Sequence, residues 1–330
     1  MKLRVTKTFN AENLSILDRR RLESWLSHIE RVVDKRNLNK RQGYPAYLGA
    51  LNEWLEHPNQ SFQSDQTYLY RAIPDDRMDD FIDDQLQYFP DIEGAQQSFA
   101  RLRSHPIHKQ KEALTFASVY RDYFSSNKDE ERSWRALSQL YDCVLSAFPN
   151  ILYCEDDARG RKNVLHLLEQ DKRKKSLKQI WRDRSAGHEN RKIEAVRHFL
   201  ATAYPGENVE HIEITVKPLR SIGGAFIGSL AADVMLHNAR RLNDVNRTLF
   251  VILHELQHRR QLQKIKQLED GQLSKGTAEY YQARLFRANL CGGYLNYSTT
   301  ACSNRNAVRD YDRQPVERHA NDLAAVPRIY

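Results

Sequence analysis

LFVILHELQHRRQ, from Leu249 to Gln261, begins as an unbroken apolar run, places His254, Glu255 and His258, and then turns basic. Polar groups inside a buried helix are costly unless they find partners. His254 and His258 are four residues apart, so on a helix they share one face about a turn apart. Two imidazoles so spaced can hold one Zn2+, which takes four ligands in a tetrahedron. Glu255 is turned about 100° from His254. It can lean over an open coordination position without binding the metal, and take a proton from the water activated there. A core helix with two hydrogen-bonded histidines is the competing reading.

The flanking sequence supplies context. VEHIEITVKPL alternates Ile212, Ile214 and Val216 as a strand does. SIGGAFIGSLAADVMLHNA combines Gly223, Gly224 and Gly228 with short apolar runs, which predicts a hairpin or two short strands, AFIG and DVMLHN. The histidine-bearing helix is predicted to start near Asn243. Beyond it, KGTAEYYQARLFRANL reads as a helix, CGGYLNYSTTACSNRN as a loop, and QPVERHANDLAAV as a last short helix with Pro315 near its first turn.

A third metal ligand has three candidate sources. Glu317 opens the last helix, and small Ala320 one turn on would let that helix pack closely against the one bearing His254. Glu279 also lies on a downstream helix. His319 is a third option, pointing away from Glu317. Outside a metal site, Glu317 would be an acidic residue at the positive end of a helix dipole.

The first half reads as helices. AENLSILDRRRLESWLSHIERVVDK sets Leu14, Leu17, Leu22, Trp25, Leu26 and Ile29 near a helical period, with Asn13 or Ser15 as cap. YPAYLGALNEWLEH, KEALTFASVYRDYFSS and ERSWRALSQLYDCVLSAF read as further helices. In IPDDRMDDFIDDQLQYF, Pro74 suits a first helical position, and paired aspartates recur every four residues. They form an acidic helix face; the glycine and ligand spacing of a calcium loop are missing. From Glu155 to Lys192 the chain turns polar and basic. The expected organisation is therefore a helical domain over 1–155, a basic helical connector over 156–192, and a catalytic domain over 193–330.

Bulk composition bounds the rest. A chain of 330 residues, 40% hydrophobic and 28% charged, can build a sizeable core as one large domain or two ordinary ones. Mean hydropathy is -0.73 and no apolar run is long enough to span a bilayer. The start, MKLRVTKTFNAENLSILDRR, lacks the apolar stretch of a Sec signal peptide. A cytoplasmic location is expected, with secretion lacking a cleaved signal as the alternative. Cys143, Cys154, Cys291 and Cys302 form no CxxC pair, and reduced, buried thiols are expected. The net charge of +8 is concentrated in RGRK and DKRKKSLKQIWRDR. Such runs read first as solvated helix faces. A nucleic-acid tether over Lys172 to Arg184 is the alternative, with neither a zinc ribbon, a helix-turn-helix nor an aromatic platform to support it.

HELQH after a strand pair, followed by QPVERHA of the form Pro-x-Glu-x-x-Ala, resembles the zincin metallopeptidases. Within them it is similar to small gluzincin-like proteins, whose third ligand is a glutamate on a following helix. The resemblance runs from Ile212 to Val326. HELQHRRQLQK lacks the glycine and third histidine of the longer metzincin pattern. The resemblance implies a mostly helical α+β fold, with a small sheet packed beside the zinc-binding helix and an edge strand that binds substrate backbone; GGAFIG or DVMLHN matches that strand. It further implies Zn2+ held by His254, His258 and Glu317, and peptide-bond hydrolysis with Glu255 as general base. The substrate would be a protein or peptide, and a protein-targeting effector is one biological setting. The alternatives are a non-catalytic zinc-binding interaction module and a DNA-associated protease.

Overall fold

The computed structural model describes residues 7–41, 43–57, 70, 73–86, 89, 94–125, 128–174, 176–183, 187–218, 224–226, 233–290 and 311–326. The fold is α+β and mostly helical, with one three-stranded sheet. Helix α1 spans Ile16–Arg41. Ser15 caps it, its Oγ accepting the Asp18 amide at 3.1 Å. Leu22, Leu26 and Ile29 are buried on one stripe, whereas Leu17 is 75% exposed. Leu17 stands about 140° around the helix from Leu22, off the stripe that meets the core.

Among the described residues, eight more helices follow before the sheet: α2 (Gly43–Glu56), α3 (Met78–Leu86), α4 (Ala95–Arg103), α5 (Ile107–Ser125), α6 (Lys128–Ala147), α7 (Glu155–Lys174), α8 (Ser176–Arg182) and α9 (His188–Ala203). Pro74 does not open α3. It caps a 3-10 turn, Asp75–Arg77, that leads into it. The acidic face is partnered by neighbouring helices: Lys111 lies 2.7 Å from Asp75, and Arg103 pairs with Asp79 and Asp83.

Strands β1 (Glu213–Lys217), β2 (Gly224–Phe226) and β3 (Val234–Asn238) form the sheet in the order β1-β3-β2. β1 runs parallel to β3, and β2 runs antiparallel to it. β3 is buried along its length and serves two cores by its alternation. Val234 and Leu236 join the apolar residues of α2 to α5, while Met235 joins those of α7 to α9.

After the sheet the described residues form three further helices: α10 (Val245–Glu269), α11 (Ala278–Ala288) and α12 (Pro315–Ala324). α10 is central. Leu249, Ile252, Leu253 and Leu256 belong to the core it shares with α9, and Ile265 belongs to a core with α1, α6, α11 and α12. Burial of each such side chain stabilises the fold by about 2 kcal/mol. The first helices thus pack directly on the last ones. Arg284 of α11 reaches Glu30 of α1 at 2.7 Å.

Cys154 is buried as expected, but Cys143 is exposed, on the solvent face of α6. Cys291, Cys302 and the expected loop CGGYLNYSTTACSNRN lie outside the described residues. Among the described residues, no helix is long and apolar enough to cross a membrane.

Candidate metal centre

α10 begins where Asp244 caps it, the Oδ1 atom accepting the amides of Asn246 at 2.9 Å and Arg247 at 3.1 Å. The first helical residue, Val245, is two beyond the expected start near Asn243. Nearly three turns on, His254 and His258 project from one face with their rings edge to face, centroids 4.7 Å apart. Their Nε2 atoms lie 3.0 Å apart. Glu317, in the first turn of α12, meets both: its Oε2 is 3.3 Å from His254 Nε2 and its Oε1 is 3.4 Å from His258 Nε2.

These three side chains form the one group of metal-binding type found among the described residues. With metal–ligand bonds of about 2.0–2.1 Å, a tetrahedral site has ligand–ligand edges of about 3.3 Å. Separations of 3.0, 3.3 and 3.4 Å fit such a site. The Glu317 side chain is 1% exposed and the two histidines 14% and 13%, so the histidines are the more accessible part of the cluster. Glu279, in the first turn of α11, is not part of the group.

The hydrogen bonds around His258 fix its tautomer. Gln261 is fully buried. Its Nε2 lies 2.9 Å from the Val316 carbonyl, which can only accept, so the amide nitrogen must face α12. Oε1 then faces His258 Nδ1 at 2.9 Å and takes its proton. The lone pair of His258 is left on Nε2, toward Glu317. The same Gln261 Nε2 lies 2.9 Å from His319 Nδ1. His319 therefore turns away from the cluster, its Nε2 3.4 Å from Asp157 Oδ2. His254 has no such support: its Nδ1 is buried without a hydrogen-bond partner among the described residues.

Asp157 of α7 anchors this side. It receives Gln282 at 2.7 Å, the Cys154 amide at 3.0 Å and Arg260 at 3.1 Å, with Lys264 at 3.4 Å. Burial alone would raise its pKa, but Lys264, His319 and Arg260 outweigh that and hold it well below the usual carboxylate range. Burial pushes the His319 pKa down, and the Asp157 carboxylate beside it opposes that shift. Arg161, also on α7, donates to the carbonyls of Leu323 at 2.9 Å and Ala325 at 2.7 Å, satisfying the open end of α12. Asn289 Oδ1 accepts the Val316 amide at 3.3 Å at the other end. Both ends of the Glu317-bearing helix are therefore tied down.

Glu255 lies beside the cluster and outside it. Its Oε2 accepts the backbone N–H of Phe226 on β2 at 2.7 Å. Burial pushes its pKa up to about 7, the Glu317 charge adding to the rise while His258 and the Phe226 amide oppose it. β2 comes this close because residue 224 is glycine. A Cβ there would meet Val251 Cγ1 at 2.5 Å, the Leu236 carbonyl oxygen at 2.6 Å and Glu255 Oε1 at 3.4 Å. Asp312, just before α12, senses both Glu317 and His254 electrostatically. Partial burial of its carboxyl and the Glu317 charge raise its pKa, and His254 lowers it.

Sequence reasoning missed Gln261, Asp157, Arg161, Asn289 and Asp312. Gln261 carried one signal, a polar residue three positions after His258 on the same helix face. The other four are remote in sequence from HELQH and carry none. No family model, curated protein or solved structure matches the chain.

Proposed function

We propose that this chain is a zinc-dependent metallopeptidase with a zincin-like core, in which His254, His258 and Glu317 hold the metal. The observation that carries the reading is the convergence of these three residues beside Glu255, which stays outside the ligand group. A structural zinc would be closed by four protein ligands. Among the described residues three ligands converge with a carboxylate outside the group, and these are the requirements of hydrolysis instead.

When bound, zinc supplies Lewis acidity and makes a water ligand acidic near neutral pH. The chain's own residues do the rest. Glu255 is the proton carrier: it accepts the proton of the attacking water and returns it to the leaving amine. Among the described residues β2 is paired with β3 alone, and its other edge would take an extended peptide backbone. Gln261 holds the His258 ring, and α7 holds α12 in register.

The test uses the full chain, purified and loaded with one equivalent of zinc, against a peptide library. Cleavage is expected, abolished by a chelator and restored by zinc. Glu255→Gln is expected to keep the metal and lose about 100-fold or more in turnover. Wild-type turnover in that variant, or zinc retained in full by both His254→Ala and His258→Ala, would overturn the reading.

A further inference from the structure

Only three large hydrophobic side chains stand exposed among the described residues, and two of them, Ile16 and Leu17, lie at the start of α1. The third is Phe250, 37% exposed, on α10. Its neighbours in the chain, Leu249 and Val251, are buried. Phe250 lies one turn before His254, and the two rings lie side by side with centroids 6.0 Å apart and planes inclined at 32°. An aromatic ring left in water beside a polar cluster forgoes burial that would stabilise the fold.

Its position around the helix is informative. Glu255 and Val251 are rotated by about 140° and 100° from Phe250, with His254 and His258 between at about 40° and 80°. β2 covers the Val251 and Glu255 side, where Gly224 approaches both. Phe250 lies on the opposite side. The two histidines thus stand between β2 and the partly exposed phenyl ring. An extended peptide on the strand edge points alternate side chains away from the sheet, and one of them would pass the histidines toward Phe250.

We propose that Phe250 is a specificity-determining residue that receives a large apolar side chain of the substrate, adjoining the bond to be cleaved. This rests on the metallopeptidase reading and adds a substrate class to it: peptides with a leucine- or phenylalanine-like residue at that position. Among the described groups beside the histidines, Glu255, Glu317 and Asp312 are acidic, which leaves Phe250 as the apolar contact there.

The test measures binding, not turnover. Two metal-chelating probes, the hydroxamates of acetyl-phenylalanine and acetyl-glycine, are titrated calorimetrically into the zinc-loaded full chain. The phenylalanine probe is expected to bind at least about 10-fold tighter than the glycine probe. Phe250→Ala should cut that ratio to about 3-fold or less, leave the glycine probe within about 2-fold of wild type, and keep one zinc per chain; Phe250→Leu should retain most of the ratio. Equal binding of the two probes by the wild type, or a ratio that Phe250→Ala leaves unchanged, overturns the proposal alone. Failure of both probes to bind the zinc-loaded chain overturns the metal-centre reading beneath it.

Discussion

The Nδ1 atom of His258 lies 2.9 Å from Oε1 of Gln261, and the same amide reaches the Val316 carbonyl from its other end. One side chain therefore orients a candidate ligand on α10 and fixes the helix that carries the next. Gln261→Leu removes both contacts, and the one to His319 Nδ1, with little change in volume. Metal affinity is expected to fall about 10- to 100-fold, read by competition with a chromogenic chelator. Stability should drop by about 1–3 kcal/mol, because the buried Val316 carbonyl and His319 Nδ1 each lose a donor. Undiminished metal affinity would show that the His258 ring needs no second partner.

The third ligand is decided by parallel titrations. Glu317→Ala is expected to weaken zinc binding far more than Glu279→Ala, because Glu317 faces both histidines and Glu279 is outside the group. Glu317→Gln should also bind more weakly than wild type, since a neutral amide is a poorer ligand than a carboxylate. Metal loss in Glu279→Ala with retention in Glu317→Ala would reverse the assignment.

Gly224→Ala tests the close approach of β2. The added methyl would fall 2.5 Å from Val251 Cγ1 and 2.6 Å from the Leu236 carbonyl oxygen. Destabilisation by about 1–3 kcal/mol is expected in urea denaturation. Adding Val251→Ala should recover only part of the loss, because the Leu236 obstacle is backbone. Full recovery would mean that the side chain alone sets the spacing.

A pH dependence follows from His237, fully buried on β3 with neither ring nitrogen hydrogen-bonded among the described residues. Burial pushes its pKa down from 6.5 to about 4; the Asn238 backbone opposes the shift and the Arg241 charge adds to it. As pH falls through 6.5 the unfolded chain takes up the proton first, so stability is lost between 6.5 and about 4. The contribution is on the order of 3 kcal/mol at most. His237→Leu should flatten the pH profile of the urea midpoint in that window. Parallel profiles for the two proteins would remove His237 as the source.

Much of this was readable because it is periodic or local. The strand alternation at Ile212, Ile214 and Val216, the spacing of His254 and His258, and Pro315 ahead of Glu317 are patterns within a dozen residues. The support of the cluster was not. Asp157 and Arg161 sit in a segment whose charge reads as a solvated face, yet both are buried and each acts across more than 100 residues. No local signal separates a lysine or aspartate destined for a buried network from one bound for water. Leu17 shows the converse: it fits an approximate helical count but misses the stripe once the exact start of α1 is known.

The ties from α7 to the end of α12 span 162 residues at Arg161–Leu323 and 164 at Arg161–Ala325. Closing a loop of that size carries an entropy cost that local helices never meet. Docking of α12 is therefore expected among the late events of folding, and its release among the early ones of unfolding. An ion bridging His254, His258 and Glu317 would act as a clasp across that closure. Its binding energy would add to the stability of the folded chain in proportion to the logarithm of free metal concentration, so thermal denaturation at graded zinc activity would report on the clasp without any substrate.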